Sequence, residues 1–92
     1  MSKVLKFSAS WCAPCRAYKP TFDKVSKMDE FGDIEFQEFD VDENEDLAIK
    51  YGIRGVPSTI FINNKGEMVD RLAGLQTEDA LVSKIREVFP KN

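Results

Sequence analysis

The stretch "SASWCAPCRAYKP", residues 8–20, holds both cysteines of a 92-residue chain that contains no histidine. On its left lies "KVLKFS" (3–8), a short β-prone run that reads as a strand. On its right, within "APCRAYKPTFDKVSKM" (13–28), Tyr18, Phe22, Val25 and Met28 recur at helical spacing. Pro14 stands near the start of that helix, where its missing N–H costs nothing, and Pro20 falls inside it, where a kink is expected. The cysteines therefore sit at a strand-to-helix junction. A helix N-terminus concentrates unpaired N–H groups and a partial positive charge, which favour a thiolate at Cys12 without help from an imidazole.

Working outward, "DIEFQEFDV" (33–41) alternates, with Ile34, Phe36 and Glu38 on one face and Phe39 and Val41 on the other, and reads as a second strand. "DENEDLAIKYG" (42–52) reads as a short helix with Asp42 and Glu45 as a capping box and Gly52 as its stop. "PSTIFINNKGEMVDRL" (57–72) is two extended runs joined by the turn-rich "NNKG", the pattern of an antiparallel hairpin. A last helix begins at Thr77 and carries Leu81, Ile85 and Val88 on one face. The order β-α-β-α-β-β-α implies a parallel βαβ unit extended by an antiparallel hairpin and a helix. The fold class is α/β: a mixed sheet with helices on both faces, in a single domain over 1–92.

Composition narrows the function classes. Hydrophobic residues are 42% and charged residues 32%, ordinary for a globular protein. Runs such as "STIFI" fall far short of the roughly 20 apolar residues of a bilayer span, so no membrane association is expected. "MSKVLKFSAS" has no sustained apolar segment of the secretory kind, which makes the cytoplasm the expected compartment. The formal charge is -3, with Lys and Arg scattered among acids, so nucleic acid is not an expected partner. The acidic run "DVDENED" (40–46) lacks the glycine and terminal glutamate of a calcium loop and reads as a solvated loop and helix start.

A disulfide between Cys12 and Cys15 would close a loop of only four residues, stabilising the fold by roughly 2 kcal/mol, so a purely structural staple is a poor explanation. A closed zinc site wants four Cys or His ligands, and the chain offers two cysteines. Two inert core cysteines are disfavoured by the neighbouring Trp11 and Pro14, which suit an exposed turn. A C-x-x-C between strand and helix is a redox placement.

"SWCAPC", with Pro20 eight positions after the first cysteine, followed later by "KYGIRGVPS" (50–58), resembles the thioredoxin family, whose usual strings are W-C-G-P-C and a glycine-rich turn leading through a hydrophobic residue to a cis proline. The resemblance covers nearly the whole chain from residue 3. It implies a thioredoxin fold on a minimal four-stranded sheet. Cys12 is then the nucleophile that attacks a substrate disulfide, and Cys15 the buried resolving thiol. Trp11 forms a wall of the site, Pro57 is the cis proline facing the cysteines, and Val56 offers backbone groups to a substrate chain. Gly74, in "LAGLQ", matches a loop glycine that lets a substrate backbone approach. An ordinary trans proline at a strand start and a simple turn glycine are the plain alternatives for Pro57 and Gly74.

Further implications of the resemblance are reduction of protein disulfides, electrons from a thioredoxin-reductase-type donor, no metal or organic cofactor beyond the redox-active disulfide, and a monomer. A glutathione-coupled, glutaredoxin-like reductase, a redox-independent protein-binding module and an oxidase or isomerase are the alternatives.

Three departures from the family pattern stand out. The chain starts at the strand that follows the extra strand and helix of longer members. Its middle dipeptide is Ala13-Pro14 rather than Gly-Pro, a pair that tunes reduction potential in the family. Where thioredoxins usually carry a buried aspartate six residues before the first cysteine and a lysine on the neighbouring strand, this chain has Lys6 and Glu38. The two charges have exchanged places. The alternation of both strands predicts a partly buried Lys6–Glu38 pair beneath the cysteines, with Lys6 favouring thiolate and Glu38 accepting the proton of Cys15; two separate surface charges are the plain alternative.

Overall fold

The protein is seen in a computed structural model that describes residues 1–91. Its elements follow the expected order: β1 (Lys3–Ser8), α1 (Ala13–Ser26), β2 (Glu35–Asp40), α2 (Glu45–Lys50), β3 (Ser58–Ile62), β4 (Met68–Ala73) and α3 (Glu78–Val88), with a 3-10 turn at Asp29–Phe31 that the sequence pattern does not announce. The sheet order is β2-β1-β3-β4. β1 pairs parallel with β2 and antiparallel with β3, and β3 pairs antiparallel with β4. The central strands β1 and β3 carry the apolar runs and are buried on both faces, as a sheet covered on two sides requires.

Alternation along the strands divides the core in two. Val4 and Phe61 point to the layer of α1 and α3, where they meet Tyr18, Phe22, Val25, Leu81 and Ile85. Leu5, Phe7, Ile60 and Ile62 point the other way and are covered by Phe39, Leu47, Tyr51 and Ile53, so the short α2 closes the second face. α1 runs without interruption through Pro20, which removes one backbone N–H donor from its middle.

The capping box expected at Asp42 and Glu45 is not formed. α2 starts two residues later than that reading needs: its cap is Asn44, and the Asn44 side chain gives no capping bond. Asp42 and Asn44 instead close a local turn, the Asp42 N–H donating to Asp40 Oδ1 at 2.8 Å and Asn44 Nδ2 donating to the Asp40 carbonyl at 3.0 Å. Asp and Asn serve turns and caps by the same side-chain bonds, so spacing alone does not separate the two uses. Gly52 does end α2, with φ at 64°. Gly66 (φ 84°) takes the left-handed position in the 63–67 turn of the β3–β4 hairpin.

Candidate functional site

β1 ends at Ser8, and the chain turns through Ala9–Trp11 so that the Cys12 N–H donates to the Ala9 carbonyl at 3.2 Å. Cys12 is the N-cap of α1. Its backbone is extended (φ -98°, ψ 107°), and its Sγ accepts the Cys15 N–H at 3.2 Å. The side chain thus occupies the place where a Ser or Asp oxygen usually satisfies an orphan helix donor. Cys12 and Cys15 are joined as a disulfide, and both are buried. A sulfur anion generated here would gain the Cys15 N–H bond and the positive end of the helix. Ala13 and Pro14 are exposed in the first turn, a position that accepts a methyl group and a ring without crowding.

Across from the cysteines, the Val56–Pro57 peptide is cis and Pro57 is fully buried. The Val56 carbonyl oxygen lies 3.6 Å from Cys12 Sγ. Gly74, with φ at 80°, donates its N–H to the Pro57 carbonyl at 2.8 Å, which ties the end of β4 to this loop. A Cβ on Gly74 would meet nothing within 4 Å, so its conformation, and not crowding within the fold, is what calls for glycine, and its outer side stands open. Trp11 is 68% exposed beside the disulfide and is oriented by one bond, its Nε1 donating to Asp42 Oδ2 at 3.0 Å.

Beneath the cysteines a polar row crosses the sheet. Register places Glu38 opposite Lys6, and Lys6 opposite Thr59. Lys6 is wholly buried, 2.8 Å from Glu38 Oε2, although its N–H directions meet no acceptor squarely. Its ammonium also faces the rings of Tyr18 and Phe22, 5.6 and 5.1 Å from their centroids, which compensates part of its lost hydration. Lys19 reaches Glu38 Oε1 from α1 at 3.2 Å. Burial alone would push the Glu38 carboxyl up, but Lys6 and Lys19 outweigh it and hold the group below the usual glutamate range. Tyr18 OH and Thr59 Oγ1 share a buried bond of 2.8 Å. Burial raises the Tyr18 phenol above its ordinary value, against the lowering effect of that bond.

The Lys6–Glu38 pair expected from strand alternation is therefore present, with Lys19 as a third member that the sequence reading did not include. Helical spacing contains the clue: Lys19 is four residues after Cys15, on the same side of α1. An open crevice of about 430 Å³ is lined by Ser8, Cys15, Lys19, Glu38, Asp40 and Glu43. Cys15 and Glu38 both line it. Asp42, read as a cap, proves to be the anchor of Trp11. That contact follows from the parallel pairing of β1 and β2, whose ends bring the two following loops together. Among the described residues, no three His, Cys, Asp or Glu side chains converge as a metal-binding group.

Comparison with known proteins agrees with this geometry. The family model described as Thioredoxin matches residues 1–87. Thioredoxin H5 of Oryza sativa subsp. japonica is 45% identical over 76 residues, covering 83% of this chain and 54% of that protein. The mitochondrial thioredoxin of Mus musculus is 33% identical over 86 residues, covering 94% of this chain and 51% of that one. The chain thus spans about half the length of these two relatives. Among solved structures, a thioredoxin variant from Halobacterium salinarum superposes with a TM-score of 0.88 at 35% identity, covering 99% of this chain and 77% of that one. Thioredoxin of Fasciola hepatica does so with a TM-score of 0.84 at 37% identity, covering 94% and 79%. With its C-x-x-C at the cap of α1 and its cis proline opposite, the chain belongs to the thioredoxin family.

Proposed function

We propose that this protein is a thiol–disulfide oxidoreductase that reduces protein disulfides by cycling the Cys12–Cys15 pair. The observation that carries this reading is the Cys12–Cys15 disulfide at the cap of α1, with Cys12 Sγ against the Val56–Pro57 loop. In the reduced protein, the Cys12 thiolate attacks one sulfur of the substrate disulfide. A mixed disulfide forms and the other substrate sulfur leaves as a thiolate. The Cys15 thiolate then attacks Cys12 Sγ, which closes the Cys12–Cys15 bond and frees the second substrate sulfur. Two electrons pass to the substrate, and a thioredoxin-reductase-type donor returns them.

Trp11 forms the exposed wall of the site, and the Val56 backbone and the open side of Gly74 flank the substrate chain next to Pro57. Ala13 and Pro14 form the first turn that sets the two sulfurs. Glu38 is the proton acceptor that readies Cys15, through water in the shared crevice, and Lys6 is the fixed positive charge that positions Glu38 and favours thiolate. The crevice lined by both Cys15 and Glu38 and the 2.8 Å Lys6–Glu38 contact support these roles.

Insulin reduction driven by NADPH and thioredoxin reductase, run beside a glutathione-coupled assay, tests the reading. Turnover with the first system and little with the second is expected. Turnover only with glutathione would transfer the protein to the glutaredoxin-like class. Partner-dependent function that survives Cys12→Ser and Cys15→Ser would make it a binding module.

A further inference from the structure

The two sides of the disulfide differ in charge: on one, Glu38, Asp40 and Glu43 outnumber Arg16 and Lys19 in a shared crevice, and on the other the charged lining is arginine. On the α2 side, Asp40, Asp42 and Glu43 crowd the loop that anchors Trp11. On the other side, a groove of about 550 Å³ runs between residues 52–58 and 71–74, starting at Val56 and Pro57. Its lining includes Arg54 and Arg71 and no carboxylate, in a chain whose net charge is -3.

Among the described residues, neither guanidinium is paired with a carboxylate. Arg71 donates to the carbonyl oxygens of Tyr51 (2.5 Å) and Gly52 (3.2 Å), which fix its position and leave its charge intact. Asp70, its chain neighbour, is paired with Lys84 at 2.8 Å. Arg54 is exposed, two residues from Val56, and makes no side-chain hydrogen bond or ion pair among the described residues. One free and one fixed guanidinium line a groove that reaches Val56, whose carbonyl lies 3.6 Å from Cys12 Sγ, and guanidinium groups suit a carboxylate ligand. The groove floor supports an extended chain: Gly55 and Gly74 present open space where a side chain would stand.

Resting on the reductase reading above, we propose that this groove is the specificity-determining surface of the protein, and that it receives an acidic segment next to the disulfide of a protein substrate, with Arg54 pairing with a substrate carboxylate. Asp40, Asp42 and Glu43 repel the same segment from the opposite side, so the preferred substrate is acidic on one flank of its cysteine only. Attraction and repulsion act together to set direction as well as preference.

The test uses pre-reduced protein in single turnover against disulfide-linked peptides that differ only in the residues flanking one cysteine: acidic, neutral or basic. Second-order rate constants are read after acid quench. The acidic peptide is expected to react about three- to fivefold faster than the neutral one at low salt, the size of an exposed ion pair, and the basic peptide slower. The spread should collapse above about 0.5 M salt, where the Debye length is a few ångströms. Arg54→Glu should reverse the order, and Arg54→Gln, which keeps a polar side chain on an exposed position, should flatten it. Equal rates for all three peptides, a preference that ignores salt, or an acidic preference kept in Arg54→Glu would overturn the proposal while leaving the reductase reading in place. Failure of the wild-type protein to reduce any of the peptides would overturn the reductase reading itself.

Discussion

At the scale of single residues, Lys6 and Glu38 are unequal partners. Lys6 has no contact with water, whereas Glu38 is 36% exposed and keeps Lys19 as a second cation. Removing the carboxylate strands a buried ammonium; removing the ammonium leaves a carboxylate that is still paired and partly hydrated. Glu38→Gln should therefore cost roughly 3 kcal/mol of stability, the low end of the range for breaking a buried pair, and Lys6→Met within about 1 kcal/mol. Urea unfolding of the two oxidised variants checks the asymmetry, and equal losses would contradict it. Glu38→Gln should also slow resolution of the mixed disulfide by about tenfold, less than the ~10²–10⁴ of a well-matched base, because its cations keep Glu38 weakly basic. Rapid-quench measurement of that step, with Glu38→Asp restoring much of the rate, separates a proton role from simple loss of packing. The pairing itself was legible in the sequence, since both residues share strand faces with apolar neighbours. Lys19 was only half legible: helical spacing puts it on the Cys15 side of α1, but its partner Glu38 lies on a strand about twenty residues away, and local spacing does not identify that partner.

At the scale of elements, the N-termini of α1 and α3 use the same physics for different ends. Thr77 caps α3 by accepting the Ala80 N–H at 3.1 Å, as Cys12 caps α1 with sulfur. Thr77→Ala should lower stability by about 1 kcal/mol and leave thiol chemistry unchanged, seen as a shift in the urea midpoint at constant slope. A change in disulfide-reduction rate in that variant would show that α3 contributes to the site after all. Strands and long helices were legible because their periods of 2 and 3.6 run for several residues. The start of α2 was not, because Asp42 and Asn44 bond back to Asp40 and divert the chain into a turn before the helix begins.

At the scale of the whole molecule, charge sets the pH limits of stability. Glu38, Asp70 and Glu30 titrate below their usual values: Glu38 because Lys6 and Lys19 overcome the raising effect of burial, Asp70 mainly through Lys84, and Glu30 mainly through Arg86. Their stabilisation is present above the unfolded carboxylate range and is lost as pH falls through the lowered native values. Tyr18 works in the opposite sense. Its raised native value means that stability is full below the unfolded tyrosine value of 10.0 and declines as pH rises through the native one. Thermal unfolding across pH should therefore show a plateau between an acid limb below about pH 4 and an alkaline limb beginning near pH 10. Tyr18→Phe, which removes the titrating phenol, should weaken the alkaline limb.

The whole fold was legible in outline because two separated motifs, "SWCAPC" and "GVPS", stand on elements whose order admits few topologies. The charge division between the two sides of the disulfide was not, since Arg54 and Arg71 are seventeen residues apart in sequence and line one groove only when β4 is laid beside the 52–58 loop. The most direct test of the two-sulfur cycle is to react the reduced Cys15→Ser and Cys12→Ser variants with a disulfide-bonded protein such as insulin and to map any covalent adduct by mass spectrometry. Cys15→Ser should hold a stable mixed disulfide through Cys12, and Cys12→Ser should hold none at the same exposure. Equal adducts on both variants, or adducts on neither, would contradict it.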